Sequence, residues 1–135
     1  MQNQRRSTGD VLVDTSAWVE ALRDMDSRLK EAVDRLLDEE RIVFCGIVEL
    51  ELLHGLRAEE RNRCLPLFDV LPHVEAERQD WRAAGELLAG LRSRGIRIPA
   101  TDALIAALCL RHELMLLTLD KHFHHISDLA FFPVS

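Results

Sequence analysis

The sequence predicts an α/β fold built on a central, mostly parallel sheet of four to five short strands. Short apolar runs without charges, such as Val11–Val13 and Ile42–Phe44, are typical of strands that are buried on both faces. Between these runs lie longer stretches with apolar residues at helical spacing, of which 80–94 is the clearest. Strands that alternate with helices in this way pair in parallel and are covered by helices on both faces.

Five strands are expected along the chain. Each is short and rich in Val, Ile, Leu or Phe, residues that suit a buried pleated surface. The expected strands cover residues 11–14, 41–47, 70–74, 114–119 and 129–134.

Six helical segments are expected between these strands. Thr15 or Ser16 can cap the first helix, which directly follows the first strand. Gly95 is the expected stop of the fifth helix, and Pro99 with Thr101 is typical of the start of the sixth. The expected helices cover residues 16–24, 29–40, 49–56, 61–68, 80–94 and 102–112.

Length and composition indicate one globular domain. We expect the polar residues 1–10 to form a flexible N-terminal tail and residues 11–135 to form a single domain, because 135 residues suffice for one hydrophobic core. No apolar run reaches the roughly 20 residues of a membrane helix, and the start lacks the apolar segment of a signal peptide. We therefore expect a cytoplasmic protein without a membrane partner.

Charge and cysteine content narrow the function classes. A net charge of -6 argues against a protein that coats nucleic acid through bulk charge, but not against an enzyme whose metal ions neutralise its site. Cys45, Cys64 and Cys109 lack the spacing of metal ligands, and we expect them to be buried, reduced thiols.

Four acidic residues are predicted to meet at one edge of the sheet. Asp14 and Asp120 end the first and fourth strands at their carboxyl ends, where ligands bind in open parallel sheets. Glu51 lies near the start of a helix that follows a strand, and Asp102 near the start of a helix that precedes one. Four carboxylates at close range repel one another unless cations join them. This placement predicts a site for a hard cation, Mg²⁺ or Mn²⁺.

Each acid taken alone also fits an ordinary structural role. Asp14 can cap a helix, Asp120 can occupy a turn, and Asp102 can be a first-turn acid favoured by the helix dipole. Their joint placement favours the metal site. Glu49 competes with Glu51, because positions two apart on a helix point roughly 200° apart and periodicity does not choose between them.

The edge assignment also predicts the path between the fifth and sixth helices. The helix at 80–94 is expected to finish at the opposite edge of the sheet, so that residues 95–101 must carry the chain back. Seven extended residues reach roughly 23 Å, which is sufficient.

Four segments carry a family resemblance. They are Val-Asp-Thr-Ser-Ala-Trp at 13–18, Glu-Leu-Leu-His-Gly at 51–55, Thr-Asp-Ala-Leu-Ile-Ala-Ala at 101–107 and Leu-Thr-Leu-Asp-Lys-His-Phe at 117–123. Together they resemble the four motifs of PIN-domain ribonucleases, most closely the VapC-type toxins of bacterial toxin–antitoxin pairs. In that family the second-motif acid lies four residues before a glycine, which selects Glu51, four residues before Gly55, over Glu49.

The resemblance implies a PIN-like, three-layer α/β/α fold and a Mg²⁺-dependent endoribonuclease in which Mn²⁺ can substitute. The catalytic and metal-binding acids that it implies are Asp14, Glu51, Asp102 and Asp120. The supporting hydroxyls that it implies are those of Thr15, Ser16 and Thr118. It further implies an RNA substrate cleaved by a metal-activated water, a VapB-like antitoxin that inhibits cleavage, and a homodimer.

Three other functions remain open at this point. The chain can be a non-toxin PIN nuclease in RNA processing, or a PIN-like domain that only binds RNA or protein. A phosphotransfer enzyme or receiver with Asp14 as nucleophile is a further possibility, but it gives no role to Glu51 and Asp102 together.

Basic residues near the end of the fifth helix have a functional and an ordinary interpretation. Arg92, Arg94 and Arg97 can grip RNA phosphates. Basic side chains at a helix C-terminus also complement the helix dipole, and this interpretation is favoured.

The histidines and tryptophans are expected to be structural. His122, His124 and His125 offer transition-metal ligands, but a short solvated turn is the favoured interpretation. Trp18 and Trp81 lie at helical spacing among apolar residues, and we expect both to pack in the protein rather than to stack on bases.

Overall fold

The computed structural model describes residues 9–134 and contains one sheet of four parallel strands. The strands are β1 (Val11–Val13), β2 (Ile42–Cys45), β3 (His73–Val74) and β4 (Met115–Leu117). Their order in the sheet is β3-β2-β1-β4. The helices in this part of the chain are α1 (Thr15–Arg23), α2 (Arg28–Asp38), α3 (Gly46–Gly55), α4 (Ala58–Val70), α5 (Arg78–Ser93) and α6 (Ala100–His112), and a 3₁₀ helix (Lys121–His125) follows β4. The predicted α/β fold with a parallel sheet is confirmed.

The core forms around β1, which is buried along its whole length. Val11 pairs with Ile42 of β2 on one side and with Met115 of β4 on the other. Trp18 of α1 packs edge-on against Phe44 and against Phe68, with ring centroids 6.1 Å and 6.0 Å apart. The expected packing role of Trp18 is confirmed.

Trp81 does not share that role, because its side chain is 60% exposed. The buried face of α5 carries Asp80, Ala84 and Leu91. Trp81 follows Asp80 by one residue and is therefore rotated by roughly 100° away from this face. The expectation that Trp81 packs in the core is wrong.

Helices α5 and α6 form an antiparallel pair. Arg111, near the end of α6, contacts Asp80, near the beginning of α5, at 2.7 Å. Ala84 of α5 packs in one cluster with Ala103 and Ala107 of α6, and these small residues let the helices approach closely. Helix α5 therefore finishes beside the start of α6, and the prediction that it finishes at the opposite edge is wrong.

All five strands are shorter than expected, and the third and fifth differ most from the prediction. The helix expected at 61–68 extends through Val70, and β3 keeps only two residues of the strand expected at 70–74. The strand expected at 129–134 is reduced to a single bridge between Leu116 and Phe131. Pro133 has no backbone N–H with which to continue the pairing.

The chain before β1 is held at its end. Residues 1–8 of the expected tail lie outside the described residues. The carbonyl of Gly9 accepts a hydrogen bond from Arg41 Nε at 2.7 Å, and the carbonyl of Asp10 accepts one from the Met115 amide at 3.0 Å. These contacts fix where the chain enters β1.

The cysteines are free and buried, as expected, at positions 45, 64 and 109. Across residues 9–134, none of the helices combines the length and the apolar character that crossing a membrane requires.

Candidate active site

Asp14 lies where β1 ends and α1 begins, and it is 4% exposed. It occupies the N-cap position of α1, but its side chain makes no capping hydrogen bond. Instead, Oδ2 accepts hydrogen bonds from Thr118 Oγ1 at 2.7 Å and from Ser16 Oγ at 2.9 Å. The carboxylate is therefore held by two side-chain hydroxyls, one on α1 and one after β4, and not by the backbone N–H groups of the first turn of α1.

The two hydroxyls that hold Asp14 also fix the segment after β4. Thr118 Oγ1 accepts the backbone N–H of Asp120 at 2.9 Å, and Ser16 Oγ accepts that of Leu119 at 3.1 Å. The two hydroxyl oxygens are 3.4 Å apart. Each hydroxyl thus donates to the Asp14 carboxylate and accepts from the backbone, which fixes its orientation.

Glu51 is connected to the same edge through Thr15. The hydroxyl of Thr15, the residue after Asp14, donates to Glu51 Oε1 at 2.5 Å. Glu49 is directed elsewhere, since its Oε1 lies 3.8 Å from Nε2 of His73 at the end of the sheet. The structure therefore places Glu51, and not Glu49, beside the residues that surround Asp14.

Asp102 and Asp120 meet around the ring of His122. Asp102 lies in the first turn of α6 and is 8% exposed. The His122 Nδ1 atom lies 3.1 Å from Asp102 Oδ2 and 2.9 Å from Asp120 Oδ1. Asp120 Oδ1 also accepts the backbone N–H of His122 at 3.0 Å, so that it caps the 3₁₀ helix.

The three histidines after β4 have different surroundings. His122 joins the acidic group although its side chain is 47% exposed. His124 stacks on Phe131, with ring centroids 4.5 Å apart, and His125 lines a groove beside α5 and α6. The expected short turn is present as a 3₁₀ helix in which His122 is exposed, but the contacts of its Nδ1 atom with Asp102 and Asp120 were not predicted from the sequence.

The pKa of Asp102 is shifted by burial and by the charges of two other acids of the site. Burial is the largest cause that raises the pKa of Asp102, to about 6. The negative charges of Asp120 and Asp14 raise it further, and the hydrogen bond with His122 opposes the rise. A divalent cation at this position would replace repulsion with attraction.

The donor atoms suit such a cation. One atom each from Asp102, Asp120 and His122 lie within 4.8 Å of one another. Carboxylate oxygens are the ligands that Mg²⁺ and Mn²⁺ prefer, and imidazole suits first-row transition ions. The residues present therefore fit a divalent metal.

The arginines of the predicted RNA-binding group lie at the same end of the α5–α6 pair as Asp102. Arg92 and Arg94 are at the end of α5, and Arg97 is in the short connection to α6. All three are exposed. Because α5 finishes beside the start of α6, these residues lie nearer the acidic edge than the predicted path of α5 implied.

Comparison with known proteins identifies the family. A family model described as the PIN domain matches residues 11–129. The chain belongs to the PIN-domain family. This PIN domain is 35% identical over 125 residues to "Ribonuclease VapC11" of Mycobacterium tuberculosis, a match that covers 89% of the chain and 93% of the relative. The same values apply to "VapC ribonuclease Mb1587" of Mycobacterium bovis.

Solved structures share the fold. FitAcB from Neisseria gonorrhoeae is 26% identical, with a TM-score of 0.73 over 91% of this PIN domain and 96% of that chain. VapBC2 from Rickettsia felis, bound to a DNA fragment from its promoter, has a TM-score of 0.74 at 23% identity, over 90% of this chain and 96% of that one. At this identity the second likeness concerns the fold alone.

Proposed function

We propose that this PIN domain is a metal-dependent endoribonuclease of the VapC type, a toxin that hydrolyses phosphodiester bonds of cellular RNA until a cognate antitoxin inhibits it. The observation that carries the proposal is the group of buried acids Asp14 and Asp102 with Asp120 at one sheet edge. The identity of 35% to proteins named VapC ribonucleases over 89% of the chain supports the reaction class.

Four acids form the proposed metal site, Asp14, Glu51, Asp102 and Asp120. Mg²⁺ is the proposed ion, and Mn²⁺ can replace it. When bound, the cation lowers the pKa of a water molecule and neutralises charge on the scissile phosphate. The chain's own contribution is positioning: Ser16 and Thr118 hold Asp14, and Thr15 holds Glu51.

The substrate is proposed to approach across the arginines. A protein with a net charge of -6 needs local positive charge to hold an RNA backbone near an acidic site. Arg92, Arg94 and Arg97 are exposed beside the start of α6 and can contact phosphates there.

The partner is proposed to be a VapB-like antitoxin. Acidic side chains without their metal attract a cation, so an Arg or Lys of the antitoxin's C-terminal segment can reach the acids and compete with Mg²⁺. Leu50, beside Glu51 on α3, is 67% exposed and offers an apolar contact for that segment. We further propose that the protein acts in the cytoplasm as a homodimer.

A cleavage assay with matched acid variants tests the function. The wild-type protein should cleave structured RNA with Mg²⁺ or Mn²⁺ and stop on addition of EDTA. Asp120→Asn should abolish cleavage, while Asp128→Asn should not, because Asp128 is exposed and its φ of 68° is one that Asn tolerates. Cleavage by Asp120→Asn at the wild-type rate would contradict the proposed site, and RNA binding without cleavage would indicate a binding-only PIN domain.

The antitoxin mode is tested by titrating Mg²⁺ against a fixed amount of toxin–antitoxin complex. Inhibition should weaken as Mg²⁺ rises and when the antitoxin's basic residue is replaced by Ala. Inhibition that ignores both changes would indicate steric blockade away from the acids.

A further inference from the structure

The ring of His122 is held between two of the acids by its local structure. Asp120 caps the 3₁₀ helix that carries the histidine, and the next residue, Phe123, is fully buried. The turn therefore has little freedom to carry the ring away. Nδ1 lies 2.9 Å from Asp120 Oδ1 and 3.1 Å from Asp102 Oδ2, and Asp102 is itself 8% exposed.

We propose that His122 is a nitrogen ligand of the divalent cation, so that the site combines the imidazole with the carboxylates of Asp102 and Asp120. The inference rests on the proposed function and extends it to the choice of metal. The sequence assigned the metal to acids alone, and nothing in the spacing of His122 singled it out from His124 and His125.

The distances match adjacent ligands of one ion. Ligands in octahedral sites lie roughly 2.1 Å from the metal, so neighbouring ligand atoms are separated by about 3.0 Å. The two separations around Nδ1, 2.9 Å and 3.1 Å, lie on either side of this value. To bind the ion through Nδ1, the ring would carry its single proton on Nε2.

A hydrogen bond from Nδ1–H to the carboxylates has the same length and is the competing interpretation. In that case His122 orients the two acids and leaves the metal to oxygen atoms alone. The two interpretations predict different magnetic resonance spectra of a bound Mn²⁺ ion, because only a ligand brings a nitrogen nucleus into direct contact with the ion.

A nitrogen ligand also changes metal preference. Mg²⁺ binds almost only oxygen ligands, whereas Mn²⁺, a first-row transition ion, also accepts an imidazole nitrogen. Replacement of His122 by Asn, which offers an amide oxygen instead, should therefore weaken Mn²⁺ binding more than Mg²⁺ binding. The ratio of Mn²⁺ to Mg²⁺ affinity should fall by at least about tenfold, the scale of loss when groups that support a metal site are removed.

Pulsed electron paramagnetic resonance of the full chain with Mn²⁺ alone tests the proposal. Echo modulation from a directly bonded ¹⁴N should appear in the wild-type protein and persist in His124→Asn, whose ring stacks on Phe131 away from the acids. It should disappear in His122→Asn. Calorimetric titration with Mn²⁺ and Mg²⁺ then measures the affinity ratio.

The outcomes separate this proposal from the proposed function. If Mn²⁺ binds, and Asp120→Asn weakens that binding, but the wild-type protein shows no ¹⁴N modulation, the role of His122 is overturned and the nuclease proposal stands. Modulation that persists in His122→Asn also overturns it. If Mn²⁺ does not bind the wild-type protein, both proposals fail.

Discussion

Two pairs of buried acids in this protein have different partners. Asp80 is 1% exposed and accepts two hydrogen bonds from Arg111, both 2.7 Å long. Glu60 is 4% exposed and accepts two from Arg23, which are 3.0 Å and 3.1 Å long. Asp14 and Asp102 are 4% and 8% exposed, but hydroxyls and an imidazole contact them. The two pairs are buried to nearly the same extent. They differ because an arginine of the protein, a resident cation, contacts each acid of the first pair, whereas no arginine is among these contacts of the second pair.

The pKa values of Glu60, Asp80 and Asp102 follow this division. The hydrogen bond from Arg23 lowers the pKa of Glu60 to about 2. Burial raises the pKa of Asp80, but the hydrogen bonds from Arg111 and from the Glu77 backbone outweigh it and give a net lowering. Burial raises the pKa of Asp102 to about 6. Acids that stabilise the fold carry their own cation, and acids of the proposed site depend on one from solution.

The largest expected effect comes from removing a site acid. Asp102→Asn should reduce RNA cleavage by roughly a hundredfold or more, since it removes a proposed metal ligand. It should leave the metal-free protein as stable as the wild type or more so, because one clustered anion is lost. Single-turnover cleavage and urea unfolding measure the two quantities. A variant that lost stability as well as activity would place Asp102 with the structural acids.

The next effect distinguishes two acids on one helix. Glu51→Gln should lose most cleavage activity, because Thr15 holds this carboxylate at the site edge. Glu49→Gln is the matched control and should lose little, because Glu49 faces His73. Cleavage rates at saturating Mg²⁺ decide the matter, and the reverse result would mean that the second motif is misaligned by two residues.

Removing the arginine that contacts a buried structural acid should lower the stability of the fold and leave RNA cleavage unchanged. Arg111→Met leaves the buried Asp80 carboxylate without its partner. We expect a loss of about 2 kcal/mol in the free energy of unfolding, below the usual cost of breaking a fully buried pair because the Arg111 side chain is partly exposed. Cleavage per folded molecule should be unchanged. The double variant Arg111→Met with Asp80→Asn should recover part of the loss, and no recovery would mean that the charge pair is not its cause.

The contact between Glu60 and Arg23 predicts how the free energy of unfolding depends on pH. Glu60 titrates near 2 in the folded chain and near its ordinary value of 4.5 when unfolded. Its contribution is therefore complete above about pH 4.5 and is lost as the pH falls towards 2. Arg23→Met should reduce this acid-induced loss of unfolding free energy between about pH 5 and about pH 3. The raised pKa of Asp102 changes the pH dependence of stability in the opposite direction, but Asp102 is present in both the wild type and Arg23→Met. The difference between their unfolding free energies therefore reports on Glu60.

The sequence predicted the sheet and the acids better than the connections. Apolar runs such as Val11–Val13 identified the strands, because a strand buried on both faces is apolar along nearly all of its length. The predicted path of α5 was wrong. The Asp80–Arg111 contact that orients this helix joins residues far apart in the chain, and no local sequence pattern reveals such a contact. His122 was missed for a similar reason, because its position depends on a 3₁₀ turn that the sequence presents as an ordinary polar segment.

The smallest expected effect is on RNA binding, and it concerns the exposed arginines near the start of α6. Arg97→Ala should weaken RNA binding by a few-fold for all sequences and lower the salt dependence of affinity by about one unit of slope, as removal of a single phosphate contact does. The matched control is Arg82→Ala, because Arg82 is also exposed but lies towards the other end of α5, beside the end of α6. Binding should be measured with Ca²⁺ in place of Mg²⁺, so that the RNA is not consumed, at several salt concentrations. Equal losses in the two variants would mean that RNA binding does not depend on closeness to the acidic edge, and no loss in Arg97→Ala would mean that Arg97 does not contact the RNA.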